Sequence, residues 1–200
     1  MNPNEIHTPV MLERCIELLE PVIARPGAVF VDATLGMGGH SEAILDRFDN
    51  LTLIGLDRDT DALRIAGERL ARFGDRFRPV HTVYDGIADA VHGEGFDHID
   101  GVMFDLGVSS LQLDMAERGF AYAKDAPLDM RMDQTKGITA ADILATYSEG
   151  QLRRIFEVYG EEKLAGRYAR AILSARESEP IATSTQLVSI LTDATPGALL

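Results

Sequence analysis

A short glycine-rich stretch, Asp32 to Ser41 (DATLGMGGHS), offers the clearest chemistry in this sequence. Glycine permits positive φ angles and lets a ligand come close to the backbone. A helix that begins just after such a stretch presents free N–H groups, which bind an anion such as a carboxylate or a phosphate. Taken alone, the stretch is equally consistent with a plain tight turn between a strand and a helix.

Two further acids, Asp57 and Asp105, come at the ends of apolar runs that predict strands. Asp57 stands 21 residues after Gly36, close to the spacing of about 20 residues at which a carboxylate meets ribose hydroxyls in nucleotide-binding folds. The alternative for Asp57 is that it caps the helix expected from Thr60. With Asp32, these acids would surround one site with negative charge, which favours a cationic cofactor such as a sulfonium.

The glycines do not match a dinucleotide site well. That site requires G-x-G-x-x-G with a pyrophosphate over the helix, and Ser41 stands where the last glycine would be. S-adenosylmethionine has no phosphate, and its carboxylate can use the same backbone donors. Tyr84 follows the third predicted strand and could stack on an adenine. A nicotinamide-dependent oxidoreductase stays open, because it would use Asp57 in the same way.

These residues need a parallel sheet to bring them together, and the first hundred residues predict one. Apolar runs alternate with helical patterns at the spacing of βαβ units, which predicts a Rossmann-like α/β fold. A sheet of this kind usually has about seven strands, so we expect its C-terminal strands to lie beyond residue 200. The four predicted strands are 28–34, 51–57, 77–83 and 99–106, with helices near 9–19, 41–48 and 60–73. Thr8 is expected to cap the first of these helices, with Pro9 at its first position. That helix is expected to have an apolar side made of Met11, Cys15, Leu18 and Leu19.

The pattern changes after Gly107, which predicts two domains, residues 1–108 and 109–200. Residues 108–137 show no periodicity and predict a long ordered loop. Helices follow, one capped by Thr139 and one that starts at a capping box of Ser148 and Gln151. Two more helical segments are predicted, near 161–176 and after 180–185.

Composition excludes several classes of protein. The net charge is −13, which disfavours holding nucleic acid by bulk attraction. Residues 1–108 carry 9 Arg and 19 Asp or Glu, whereas residues 153–176 hold six basic and three acidic side chains. No apolar run is long enough for a membrane helix, and the N-terminus lacks signal-peptide features, so a cytoplasmic protein is expected. One cysteine, Cys15, and scattered histidines predict neither a disulfide nor a metal site.

Several idiosyncratic motifs recur in order along the chain and together resemble the bacterial MraW/RsmH family of small-subunit ribosomal RNA (cytosine-N4)-methyltransferases. The resemblance covers the chain from His7 to Leu191. Tyr84 and Leu111 depart from it, since the family often has phenylalanine and proline there. The motifs are His7 to Val10, Asp32 to Ser41, Asp57 to Asp59, Asp105 to Ser110, Gln112 to Asp114, Glu117 to Phe120, Pro127 to Asp133 and Tyr159 to Lys163.

The resemblance implies a Rossmann-like methyltransferase domain with a helical substrate-recognition domain inserted after the fourth strand. It implies S-adenosyl-L-methionine as cofactor, and the N4 atom of a cytidine in 16S ribosomal RNA of the small subunit as the methylated position. The candidates for a hydrogen-bond acceptor near the amine are Asp105 and the hydroxyls of Ser109 and Ser110, with Asp105 as the candidate catalytic residue. The implied cofactor contacts are Gly38, Gly39, His40, Asp57, Tyr84, Asp105 and Gln112.

Other functions fit less well. DNA enzymes that methylate cytosine N4 often have an Asp/Asn-Pro-Pro-Tyr stretch where this chain has Asp105-Leu106-Gly107-Val108. Methylation at C5 requires a cysteine nucleophile, and Cys15 is expected on the apolar side of the first helix. A cofactor-binding fragment without catalytic activity remains the alternative if the chain truly ends at Leu200.

Overall fold

In the computed structural model, residues 9–121 and 125–197 are described, and the chain divides into two compact units, Met1–Gly107 and Val108–Leu200. In the first unit strands and helices alternate, with short 3₁₀ segments at Ala71–Arg76 and Tyr84–Gly86. Its elements are α1 (Leu12–Ile23), β1 (Val29–Asp32), α2 (Gly39–Arg47), β2 (Thr52–Asp57), α3 (Thr60–Leu70), β3 (Phe77–His81), α4 (Ile87–Gly93) and β4 (Gly101–Met103).

Among the described residues, the four strands form one parallel sheet in the order β3-β2-β1-β4. Val31 of β1 is in register with Ile54 of β2 on one side and with Val102 of β4 on the other. The chain order therefore reverses at β1, where β2 and β4 leave in opposite directions across the sheet. This arrangement confirms the predicted α/β class with a Rossmann-like sheet.

The sheet is covered on both faces, which explains why β1 is a continuous apolar run. Phe30 points into a core formed with α1, α2 and α3, and Val29 and Val31 point into a second core formed with α4. Every residue of β1 is buried. The first core includes Ile16, Ile23, Ile44, Leu45, Leu53 and Leu70, and the second includes Ile54, Leu56, Ala90 and Val91.

The N-terminal helix differs from its prediction. It begins at Leu12 after Met11, which has a left-handed conformation with φ 52°, so Pro9 is not in its first turn; Thr8, the expected cap, lies outside the described residues. Met11 and Leu18 were expected on the apolar side but are 66% and 63% exposed. Cys15 is half-buried against the first core.

The second unit is helical within its described residues, and the helices after residue 139 pack around one core. Thr139 and Ser148 form the predicted caps, each within a capping box. None of the helices in the described ranges has the length and apolar character that crossing a bilayer requires. The helices are α5 (Ser110–Asp114), α6 (Ala140–Thr146), α7 (Glu149–Arg154) with a π-helical continuation (Ile155–Tyr159), α8 (Ala165–Arg176) and α9 (Ser184–Ala194), and the core includes Leu128, Leu144, Leu152, Ala169, Ile172 and Ile181.

The segment expected to be a loop contains a short helix, α5, and a 3₁₀ turn at Ala116–Arg118. In the loop that follows, the described residues 125–137 are held by hydrogen bonds to their backbone. The buried Arg118 side chain donates from Nη2 to the carbonyl oxygens of Arg131 (3.1 Å) and Met132 (2.9 Å). Farther along, the Leu128 N–H donates to the carbonyl oxygen of Ala182 (2.9 Å).

Arg176 ties the end of α8 to the end of α6. Its Nη1 donates to the carbonyl oxygens of Leu144 (2.8 Å) and Tyr147 (2.7 Å), which the last turn of a helix leaves without an intrahelical donor. The positive charge at a helix C-terminus is also favourable.

We therefore expect Arg176→Ala to lower the free energy of unfolding by about 1–3 kcal/mol, because two carbonyl groups lose a charged donor. Arg154→Ala is the matched control: it removes an exposed arginine of α7 and should change the free energy by less than about 0.5 kcal/mol. Urea denaturation followed by circular dichroism measures both. Equal effects of the two substitutions would contradict the role assigned to Arg176.

Candidate cofactor site

The carboxyl ends of the four strands meet at one edge of the sheet, as they must in a parallel arrangement. Asp32 and Asp57 are the last residues of β1 and β2. Tyr84 follows β3, and Asp105 comes two residues after β4 ends. Open α/β sheets bind ligands at this edge, beside the strand where the order reverses, and here that strand is β1.

Asp32 holds the two ends of the glycine turn together. Asp32 is 1% exposed, and its carboxylate accepts hydrogen bonds from the Ser41 hydroxyl (2.7 Å) and from the Thr34 N–H (3.2 Å). Burial raises the pKa of Asp32, and these two hydrogen bonds oppose that rise. The carboxylate thus joins the end of β1 to the first turn of α2 and fixes the two ends of the glycine stretch.

The glycine turn also binds the neighbouring strand. The Gly36 N–H donates to Oδ2 of Asp57 (2.8 Å). Gly38 is the N-cap of α2 with φ 80°, a conformation that favours glycine. Gly39 lies so close to Pro9 that a Cβ atom there would be 2.7 Å from its Cγ. The turn therefore needs both glycines, one for its conformation and one for its packing.

His40 is buried and holds the N-terminal segment. Its Nε2 lies 3.0 Å from the carbonyl oxygen of Val10, and its backbone is in the first turn of α2. Any contact of His40 with a ligand at the N-terminus of α2 is therefore expected from its backbone N–H, because this ring nitrogen is engaged with Val10.

Asp57 does not cap α3, which was the alternative to a ligand role. The cap is Asp59, whose side chain accepts from the N–H groups of Asp61 and Ala62. The carboxylate of Asp57 is instead oriented by the N–H groups of Gly36 and Asp59 (2.8 and 2.9 Å). Desolvation raises the pKa of Asp57, and these backbone hydrogen bonds oppose the rise.

Two aromatic rings lie at the same edge. Tyr84 and Phe104 are 47% and 46% exposed, and their ring centroids are 6.0 Å apart in an edge-to-face arrangement. Next to Phe104, the exposed Asp105 is held by its backbone N–H, which donates to Oγ1 of Thr34 (2.6 Å). The structure thus gathers Gly38, Gly39, His40, Asp57, Tyr84 and Asp105 at one edge of the first unit.

Gln112 belongs to the second unit and is described there alone. It is 4% exposed, and its Oε1 accepts from the N–H of Ser109 (3.1 Å), while the Ser109 hydroxyl accepts from the N–H of Gln112 (3.2 Å). This capping box starts α5. Its role as a cofactor contact stays a prediction.

Sequence reasoning missed three contributors: Thr34, Ser41 and Phe104. Ser41 was noted only as the residue that breaks the dinucleotide pattern, and the structure shows it bonded to Asp32. A hydroxyl at each end of the glycine stretch was the available signal, whereas nothing in the local pattern marked Phe104. Within the described residues, no group of His, Cys, Asp and Glu is arranged to hold a metal ion.

An open surface cavity of about 400 Å³ lies elsewhere in the first unit. It is lined by Phe77, Arg78 and Pro79 of β3 together with Gly74, Asp75 and Glu94. Because β3 starts at Phe77, this cavity lies toward the amino ends of the strands, where open α/β sheets do not place their ligands. The carboxyl edge is therefore the candidate site.

A parallel sheet in this order, with a glycine turn after β1 and an acid that ends β2, defines the Rossmann-like class of α/β folds. The chain belongs to the MraW methylase family, whose sequence pattern matches residues 4–199. The family resemblance seen in the motifs is thereby confirmed.

Three curated relatives, each named Ribosomal RNA small subunit methyltransferase H, show how similar the chain is to the family. The protein of Clavibacter michiganensis subsp. michiganensis is 66% identical over 196 residues, which cover 98% of this chain and 62% of that protein. The Leifsonia xyli subsp. xyli protein is 66% identical (98% and 60% covered), and that of Streptomyces avermitilis 57% identical (96% and 60% covered). The chain thus spans about 60% of the length of these relatives.

The raised pKa of Asp32 predicts a pH-dependent effect of Asp32→Asn. At a pH below 3.8, the ordinary pKa of this carboxyl group, Asp32 is protonated in both the folded and the unfolded chain. As the pH rises toward the higher pKa of the folded chain, the unfolded chain loses its proton first, so the fold loses stability over this range. Asparagine keeps the shape and does not ionise. The stability of Asp32→Asn relative to the unsubstituted chain should therefore increase from about pH 4 to pH 7.

Urea denaturation at several pH values measures this difference. Asp75→Asn, at an exposed position, should show no such trend. The raised pKa of Asp32 would be contradicted if the difference in free energy of unfolding between Asp32→Asn and the unsubstituted chain stayed constant with pH. It would also be contradicted if the unsubstituted chain became the more stable of the two as the pH rose.

Proposed function

We propose that this chain contains the cofactor-binding part of an S-adenosyl-L-methionine-dependent methyltransferase that modifies N4 of a cytidine in small-subunit ribosomal RNA. The observation that carries the proposal is the oriented carboxylate of Asp57, held at the carboxyl edge beside the glycine turn. Membership of the MraW methylase family supports the methyl-transfer chemistry. The names of the relatives support ribosomal RNA as the substrate.

The residues at the edge fit this cofactor part by part. A carboxylate has about four acceptor positions, so Asp57 can accept from ribose hydroxyls besides its backbone donors. The first N–H groups of α2 have no intrahelical partner and no capping side chain at Gly38, which suits the carboxylate of a methionine moiety. When bound, the cofactor supplies a methyl group on a positively charged sulfur, and the acids at the strand ends favour that charge.

Transfer to cytosine N4 depends on alignment more than on a strong base. The lone pair of the exocyclic amine is delocalised into the ring, so an acceptor near its N–H must hold the amine with the lone pair directed at the methyl carbon. With the cofactor bound, its methyl group would be available for transfer to N4, and the acceptor beside the amine would take the proton that the amine gives up. Asp105 is our candidate for the acceptor, because its backbone is fixed by Thr34 while its side chain is exposed.

For the substrate we propose that residues 109–200 recognise RNA and that residues 1–108 bind the cofactor. In the second unit a surface groove of about 560 Å³ is lined by Arg153, Lys163, Arg167 and Arg170 together with three glutamates. Arg153 and Arg170 are paired with Glu157 (3.2 Å) and Glu149 (3.3 Å). Such a mixed surface binds weakly by charge alone, so we expect the target in an assembled small subunit, where an unpaired base is already presented.

The first test is calorimetric titration of the 200-residue chain with S-adenosylmethionine and, in parallel, with NAD. Binding is expected for S-adenosylmethionine only. Asp57→Asn should weaken it at least about tenfold, because a charge-assisted hydrogen bond is lost. Asp75→Asn is the control with the same change of charge and should bind as the unsubstituted chain does. Binding of NAD instead would favour an oxidoreductase and refute the proposal.

The second test separates catalysis from cofactor binding at Asp105. Asp105→Asn should keep its affinity for S-adenosylmethionine within about threefold and lower the transfer of radiolabelled methyl groups to small subunits by about 100-fold. Asp97→Asn, at an exposed position outside the site, should change neither quantity. If affinity and transfer fall by the same factor, Asp105 serves the cofactor and not the amine.

A further inference from the structure

The aromatic pair of Tyr84 and Phe104 at the carboxyl edge is more exposed than such pairs usually are. Tyr84 and Phe104 are nearly half exposed, although edge-to-face aromatic pairs usually contribute to cores and interfaces. Neither ring is among the described residues that form the two cores of the first unit. An exposed pair of rings therefore lies at the edge to which the cofactor is assigned.

Hydrogen bonds place the pair beside the two parts of the site already described. The N–H of Thr82 donates to the carbonyl oxygen of Asp57 (3.0 Å), which brings the segment before Tyr84 to the end of β2. The N–H of Asp105 donates to the Thr34 hydroxyl (2.6 Å), which brings Phe104 to the start of the glycine turn. The two rings therefore join the segments that follow β3 and β4, and the first of these segments is bonded to the backbone of Asp57 at the end of β2.

A flat heteroaromatic base is the ligand that such rings suit. Ligand pockets are lined by aromatic side chains with a few oriented polar groups, and a base that stacks on a ring covers apolar surface without needing to satisfy buried polar atoms. The oriented polar group beside this pair is Asp57, an acceptor for ribose hydroxyls. A base attached to that ribose would lie against the rings.

We propose that Phe104 contacts the adenine of the cofactor and forms, together with Tyr84, the wall of the adenine pocket. The proposal rests on the proposed function for the identity of the cofactor, and it assigns to Phe104 a specificity role that the family motifs did not imply. Phe104 acts by direct contact with the base, whereas its neighbour Asp105 is assigned to the amine of the substrate.

The absence of tryptophan from the sequence allows a direct test. Phe104→Trp places the single tryptophan of the chain at the proposed wall, and indole emission, excited selectively over that of tyrosine, is quenched when a base stacks on the indole. Adenosine and S-adenosylmethionine should both quench it, whereas cytidine should not. Phe73→Trp is the matched control, since Phe73 lies in the 3₁₀ segment before β3 against Arg72 and Arg76; its emission should not respond to adenosine.

Calorimetry gives the second measurement. Phe104→Leu keeps an apolar side chain but removes the aromatic face, and it should weaken adenosine and S-adenosylmethionine by the same factor of about tenfold, as expected for a lost stacking contact. Phe73→Leu should leave both affinities unchanged. A general loss of structure would instead lower the melting temperature and abolish saturable binding.

The outcomes distinguish this proposal from the proposed function. Quenching by adenosine in a chain that binds NAD but not S-adenosylmethionine would support the wall and refute the methyltransferase. Unchanged emission of Phe104→Trp at saturating S-adenosylmethionine, with unchanged affinity in Phe104→Leu, would refute the wall and leave the methyltransferase standing. Quenching by cytidine alone would assign the wall to the target base and refute our proposal.

Discussion

The geometry of the candidate site depends on the hydrogen bonds to the buried carboxyl group of Asp32. A carboxylate removed from water is costly unless donors surround it, and here the Ser41 hydroxyl and the Thr34 N–H are those donors. Both donors belong to the glycine stretch, so the turn cannot open without leaving the carboxylate unsatisfied. The closed turn directs the Gly36 N–H at the carboxylate of Asp57. The positions of the glycine turn and of Asp57 therefore follow from this series of hydrogen bonds.

Local patterns were sufficient where one element determines its own structure. The continuous apolar run around Val29 to Val31 predicted a strand buried on both faces, and the sheet buries it on both faces. The serine and glutamine at positions 148 and 151 predicted the start of a helix, and their capping box is present. Side chains that satisfy backbone groups three residues away leave a signal in the sequence.

Contacts between distant segments left no such signal. The sequence did not show that β4 would end at Met103, because strand length there depends on pairing with β1. Nor did it show that the His40 ring would bind the Val10 carbonyl, which depends on how the N-terminal segment packs. The helix α5 was missed because five residues are too few for periodicity to appear. The family resemblance named most of the site residues, but the reasons for their positions came only from geometry.

The second unit contains an antiparallel bridge between Pro127 and Thr183, supported by the bond from the Ala126 N–H to the Ser184 hydroxyl across 58 positions of the chain. A helical unit usually forms mostly local contacts and therefore folds fast. Here the core that contains Leu128 and Ile181 can be completed only after a long segment of chain has closed on itself, at a cost in chain entropy. The helices α6 to α8 lie within that closed segment, so we expect the folding rate of the unit to be limited by this closure rather than by the formation of its helices.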